Sequence, residues 1–272
     1  MAKNKKSSKK TTTTTTTTVV TTTTTVDKNL DTHYLLVLDR SGSMQSCWTS
    51  TINGLNEQLG TIRTLEEKYP EQKYFITLVV FDNEIDTIIE DTPISEVKDF
   101  DGTEFTPRGM TSLHDAMGIS ITNLKAKLAN KDKNSDSIST ALVVVMTDGD
   151  ENSSKEYNAD SVKKLIDELD ATDAWTFSYM GANQDAVLTA KSFGISIGNS
   201  VNYSSTSKGA SAANTTLSNA ISARAFAGNM SYTTAVASGA EVTLNSLSLD
   251  NDNFLSEVVD GDTIGEDDTD NN

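Results

Sequence analysis

The sequence predicts a doubly wound α/β domain: a mostly parallel central sheet flanked by helices on both faces. Three observations lead to it. Short apolar runs alternate along the chain with stretches of helical periodicity, the pattern that places crossover helices over parallel strands. Two of the runs, ending at Asp39 and Thr147, are apolar almost throughout, as strands covered on both faces must be. Loops rich in Gly, Ser, Thr and Asp follow the carboxyl ends of the runs, where sheets of this kind bind their ligands.

In chain order, His33 to Asp39 reads as a buried parallel strand closed by an acid. Trp48 to Tyr69 carries Ile52, Leu55, Leu59, Ile62 and Leu65 at spacings of three and four, an amphipathic helix that Pro70 terminates. Tyr74 to Phe81 is a second strand. Glu84 to Glu90 is its hairpin partner, with Asp82 and Asn83 as the turn. Ser112 to Leu128 is helical through Leu113, Met117, Ile121, Leu124 and Leu128, and Ser139 to Thr147 is the most hydrophobic strand. A helix over Asp160 to Asp170 rests on Val162, Leu165, Ile166 and Leu169. A strand over Ala174 to Met180 and a helix over Gln184 to Ser192 complete the alternation.

Outside this unit the composition changes. Residues 1–30 form a low-complexity arm, five lysines followed by a threonine tract that specifies no strand register. Residues 31–200 form the domain. Residues 201–249 are an Ala/Ser/Thr-rich extension in which Ala213, Leu217, Ile221 and Ala225 line one stripe of a helix expected to pack on the domain. Residues 250–272 are an acidic tail with the composition of a disordered segment.

The net charge of −17 over 272 residues argues against a nucleic-acid partner, because that affinity rests on Lys and Arg neutralising phosphates. The single cysteine, Cys47, excludes an intrachain disulfide. No apolar stretch reaches the roughly 20 residues of a membrane span, and no apolar segment follows the N-terminal lysines as a secretory signal requires. A cytoplasmic location is the expectation, with a virion-associated one as the alternative.

The candidate chemistry lies in three loops. The first, Asp39-Arg-Ser41-Gly-Ser43, offers a carboxylate and two hydroxyls within five residues. Oxygen-only donors suit a hard cation, Mg²⁺ above all, with Mn²⁺ or Ca²⁺ as alternatives. The second runs from Thr106 to Ala116, with Gly109 ahead of Thr111, which opens a helix and supplies another hydroxyl. The third, Thr147-Asp148-Gly149-Asp150, leaves the most apolar strand with a carboxylate at the same sheet edge.

Asp-x-Ser-x-Ser after a strand, Gly-x-Thr-x-Leu-x-Asp-Ala, and Asp-Gly after a central strand occur here in order over about Thr32 to Ser200. In this the chain resembles the von Willebrand factor A family and its metal-ion-dependent adhesion site. The resemblance implies one divalent cation touched directly by Ser41, Ser43 and Thr111, and held by Asp39 and Asp148 largely through waters. It also implies an open coordination position filled by an Asp or Glu of a protein partner. A metal-dependent binding module, not an enzyme, is therefore the expected function. The alternatives are a structural or assembly component using the fold as a scaffold, and a Mg²⁺-dependent phosphate hydrolase. The hydrolase lacks its usual second acid, because Ser41 occupies that position, and there is no phosphate-binding Gly-Lys-Ser/Thr loop.

The remaining reactive residues receive structural readings. Asp148, Asp150 and Asn152 imitate a calcium loop, but Ser153 and Ala159 stand where that loop needs Gly and Glu. Asp150 and Glu151 surround the metal loop with negative potential or face solvent. His33 and His114 have no ligand-spaced neighbours. Cys47 sits at a helix start, where a thiol's pKa can fall, but is read as a packed thiol. Trp48 is read as core. Gly181 to Ala186 is read either as a rim of the binding face or as a plain strand-to-helix turn.

Overall fold

A computed structural model describes residues 30–131, 137–182 and 186–203, together with Lys208, Thr215, Leu217, Ser218, Ile221 and Ser222. Most of the 201–249 extension, the N-terminal arm and the acidic tail lie outside the described residues. So do Asn183 and Gln184 of the expected rim loop.

The alternation expected from the sequence is present. Strand β1 (Leu30–Asp39) is followed by a 3-10 turn (Gly42–Ser46) and helix α1 (Trp48–Lys68). Strands β2 (Lys73–Phe81) and β3 (Ile85–Pro93) form the hairpin. Then come α2 (Leu113–Lys131), β4 (Ile138–Thr147), α3 (Ala159–Asp170), β5 (Trp175–Ala182), α4 (Ala186–Ser192) and β6 (Ser200–Tyr203). The sheet order is β3-β2-β1-β4-β5-β6, and every pair is parallel except β2 with β3.

β1 is buried along its whole length because it is central and covered on both sides. Its side chains alternate between two cores, as the period of two requires. Tyr34, Leu36 and Leu38 join Leu142, Val144 and Met146 of β4 against Ile52, Leu55, Leu59, Ile62 and Leu65 of α1. Leu35 and Val37 join Val143 and Val145 against Met117, Ile121 and Leu124 of α2 and Val162 and Ile166 of α3. Each large aliphatic side chain so buried stabilises the fold by roughly 1.5–3 kcal/mol. Leu217 and Ile221 are helical, and they are buried in the α1-side core.

Of the boundaries that differ from the sequence reading, three have a clear physical reason. β3 runs on to Pro93 through a bulge in which one residue of β2, Thr77, stands opposite two of β3, Glu90 and Asp91, between the pairs Ile76↔Thr92 and Leu78↔Ile89. Asp91 there adopts a left-handed φ of 45°. α3 begins at Ala159 because Asn158 and Ser161 form a reciprocal capping box. β6 extends the sheet to Tyr203 by pairing with β5, a contact that four residues carry no local signal for. Among the described residues no helix is long and apolar enough to cross a membrane.

Candidate metal centre

The order of the sheet fixes where the site lies. From β1 the chain turns through α1 to β2 on one side, while β4 lies on the other. The carboxyl ends of β1 and β4 therefore flank the point where the winding reverses, the usual ligand crevice of such sheets. Asp39 ends β1, and Asp148 follows directly on β4.

Backbone contacts bring the second loop to the same place. The N–H of Gly42 donates to the carbonyl of Gly109 at 3.3 Å, and that of Arg108 to the carbonyl of Arg40 at 2.7 Å. The third loop is joined to the second through Asn152, whose side-chain oxygen accepts from the Thr111 N–H at 2.9 Å and whose own N–H donates to the Thr111 carbonyl at 3.0 Å.

The five residues singled out in the sequence thus meet. Ser41 Oγ and Ser43 Oγ are 3.0 Å apart, and Ser43 Oγ donates to Asp148 Oδ1 at 2.6 Å. Asp39 is fully buried, with Oδ1 accepting from the Ser41 N–H at 2.6 Å and Oδ2 from the Thr147 hydroxyl. Gly149 marks the centre. A Cβ placed on it would lie 2.9 Å from Thr111 Oγ1, 3.3 Å from Ser43 Oγ and 3.5 Å from Asp39 Oδ2. A small cradle lined by hydroxyl and carboxylate oxygens therefore exists, and only a glycine leaves it open.

The electrostatics suit a cation. Burial pushes the Asp39 carboxyl up to about 6, although hydrogen bonds from Thr147 and Ser41 oppose the rise; the charge of Asp148 adds to it. Burial also raises Asp148 above the usual carboxylate range against the bond from Ser43. Two carboxylates thus share a desolvated corner with hydroxyls, and among the described residues no Lys or Arg forms an ion pair with Asp39. The donor chemistry, three hydroxyls and two carboxylates, fits a hard divalent ion. Among the described residues no cluster of three or more His, Cys, Asp or Glu offers a softer site.

Other sequence expectations resolve into structure. Glu151 keeps its negative charge beside the third loop but is committed to hydrogen bonds there. It accepts from the N–H groups of His114, Ser153 and Ser154 and from the Ser154 hydroxyl. Burial pushes its carboxyl up, but the Ser154 hydroxyl and these amides outweigh that and hold it below the usual range. Asp115 is likewise committed, accepting from the N–H groups of Lys155, Glu156 and Tyr157. His33 bonds Asp91 at 2.6 Å, and His114 packs edge-on against Phe193. Cys47 is buried, and burial raises its thiol pKa, the reverse of what a helix start alone does. Trp48 is core, edge-on to Phe105. Thr147, which orients Asp39, and the Arg40–Asp82–Arg108 group beside the first two loops were not singled out from the sequence.

No protein-family model matches the chain, and no curated protein matches it by sequence. Solved structures do. Proximal thread matrix protein 1 from the mussel byssus, with a zinc occupied MIDAS motif, aligns with a TM-score of 0.53 at 14% identity, over 72% of this chain and 49% of that one. The manganese-loaded TRAP protein of Plasmodium vivax aligns with a TM-score of 0.46 at 18% identity, over 68% of this chain and 72% of that one. The PilB minor pilin of Streptococcus sanguinis does so with a TM-score of 0.47 at 12% identity, over 70% and 61%. The fold is von Willebrand factor A-like. The chain spans about half the length of the byssus protein.

Proposed function

We propose that this protein is a metal-dependent protein-binding module. Ser41, Ser43 and Thr111 would hold one divalent cation directly, and Asp39 and Asp148 would hold it largely through water. The observation that carries the reading is the cradle around Gly149, where oxygens from three sequence-distant loops converge beside two carboxylates whose pKa values burial has raised. The zinc-occupied MIDAS motif of the byssus matrix protein, which has the same fold, supports it.

Mg²⁺ is the preferred ion, with Mn²⁺ or Ca²⁺ as substitutes, because the set is all oxygen and mostly neutral. When bound, such an ion supplies an electron-poor centre for an outside carboxylate, so the partner is a protein offering Asp or Glu. We read the site as binding rather than catalytic. Ser43 donates to the Asp148 carboxylate and shares a hydroxyl–hydroxyl hydrogen bond with Ser41, while the described histidines are engaged elsewhere.

The test is calorimetric titration of the full chain with Mg²⁺ and with Mn²⁺, on the wild type and on Asp39→Ala/Ser41→Ala. One saturable site in the wild type, absent from the variant, supports the reading. A wild type that binds neither ion at millimolar concentration overturns it.

A further inference from the structure

Resting on that reading, we propose that Asp82 is a positioning residue for the site: it holds the first and second metal loops in register through two arginines. Asp82 follows directly on β2 and is buried. Its Oδ2 accepts from Arg40 Nε at 3.1 Å and from Arg108 Nε at 2.7 Å. Arg40 is the residue next to Asp39, and Arg108 lies three residues before Thr111. Oδ1 is held by the Glu84 N–H at 2.6 Å, so the carboxylate cannot rotate away from the arginines. Its backbone carbonyl accepts from the N–H of Ser112, the neighbour of Thr111, at 2.9 Å.

One residue therefore grips the chain beside Asp39 and on both sides of Thr111. The grip is close as well as polar. Gly109, at φ 70°, lies so near that a Cβ there would come within 3.3 Å of Asp82 Cβ and 2.3 Å of Asn83 Oδ1. The outer guanidinium nitrogens are anchored too, Arg40 on Asp86 and Arg108 on Glu84 at 2.7 Å. Both arginines are thus committed to bracing, and Arg108 is half-exposed, so the brace can be loosened there without opening the core. Groups that orient metal ligands from outside typically change metal affinity by 10–100-fold when removed.

The experiment compares full-length wild type with Arg108→Gln, Asp82→Asn and the charge-retaining Asp82→Glu. It reads amide hydrogen exchange at Gly42, Arg108 and Ser112, Mn²⁺ affinity by calorimetry, and Tm. The expected result for Arg108→Gln and Asp82→Asn is exchange at those amides at least about tenfold faster, with β1 and β4 unchanged, and Mn²⁺ binding weakened roughly 10–100-fold. Asp82→Glu should recover most of the affinity. Unchanged loop exchange and unchanged affinity in Arg108→Gln would overturn the proposal, as would faster exchange spread evenly over the sheet. If the wild type binds no Mn²⁺, the metal reading falls, and loop exchange alone decides whether Asp82 holds the two loops together.

Discussion

The two ends of β1 carry buried polar clusters of opposite electrical character. At the amino end, His33 bonds Asp91 and stacks on Phe75 with ring centroids 4.8 Å apart. Lys131 reaches Asp31 at 3.0 Å and lies 3.8 Å from the Phe75 ring centroid, while Lys127 approaches Asp91 at 3.6 Å. Every acid there has a base. Burial alone would raise the Asp91 carboxyl, but the His33 hydrogen bond and the nearby cationic groups bring it below the usual range. At the carboxyl end, Asp39 and Asp148 accept from hydroxyls and repel each other, and both are raised. The amino-end cluster balances its own charge, whereas the two acids at the carboxyl end are the ones that the proposed cation would balance.

The largest effect that can break this contrast is at Asp39. Asp39→Ala should lower Mg²⁺ affinity by more than about 100-fold, seen as loss of the calorimetric isotherm, because it removes both a charge and the group that orients the Ser41 loop. Retained affinity would mean that the carboxyl end is not a metal site.

The next is pH. A carboxyl raised from 3.8 to about 6 in the folded state binds its proton more tightly than the unfolded chain does. Stability in chelator should therefore fall as pH rises between those values, by up to roughly 3 kcal/mol. Asp91, lowered on folding, acts with the opposite sign: its contribution is lost as pH falls through the acid range. Denaturant titrations from pH 4 to 7 should show the fall in wild type, a much shallower one in Asp39→Asn, where only Asp148 remains raised, and its suppression by saturating Mg²⁺. The same slope in both proteins would refute the assignment.

Lys131→Met at the amino end should cost about 2 kcal/mol of unfolding free energy, because the buried Asp31 loses the cation it pairs with, while Mg²⁺ affinity stays as it was. A weakened Mg²⁺ isotherm in this variant would show that the two ends are coupled. Smallest is Thr111→Val, which keeps shape and removes one hydroxyl. Mg²⁺ binding should weaken about tenfold, roughly 1.4 kcal/mol, with Tm little changed.

The contrast also shows what a sequence can carry. β1 and β4 are legible because a strand covered on both faces must be apolar throughout, and α1 because five aliphatic residues fall on one stripe. The residues of the three loops are legible because the motifs are local and the strand ends that present them are predictable. The braces are not. Asp82 meets Arg108 and Arg40 across 26 and 42 positions, and in sequence it reads as an ordinary turn residue. Glu151 reads as surface charge, yet its partners are backbone amides around the start of α2 and within its own loop. β6 reads as nothing, since its four residues owe their strand conformation to tertiary pairing with β5.

The two cores share the sheet but no side chain, since alternate residues of β1 and β4 serve opposite faces. The first loop leads into α1 on one layer, and the second opens α2 on the other. A cation held between Ser43 and Thr111 at the seam would consequently act as a clasp between the two layers, beside the side-chain brace that Asp82 already provides. Its occupancy would be felt in how cooperatively the whole domain comes apart.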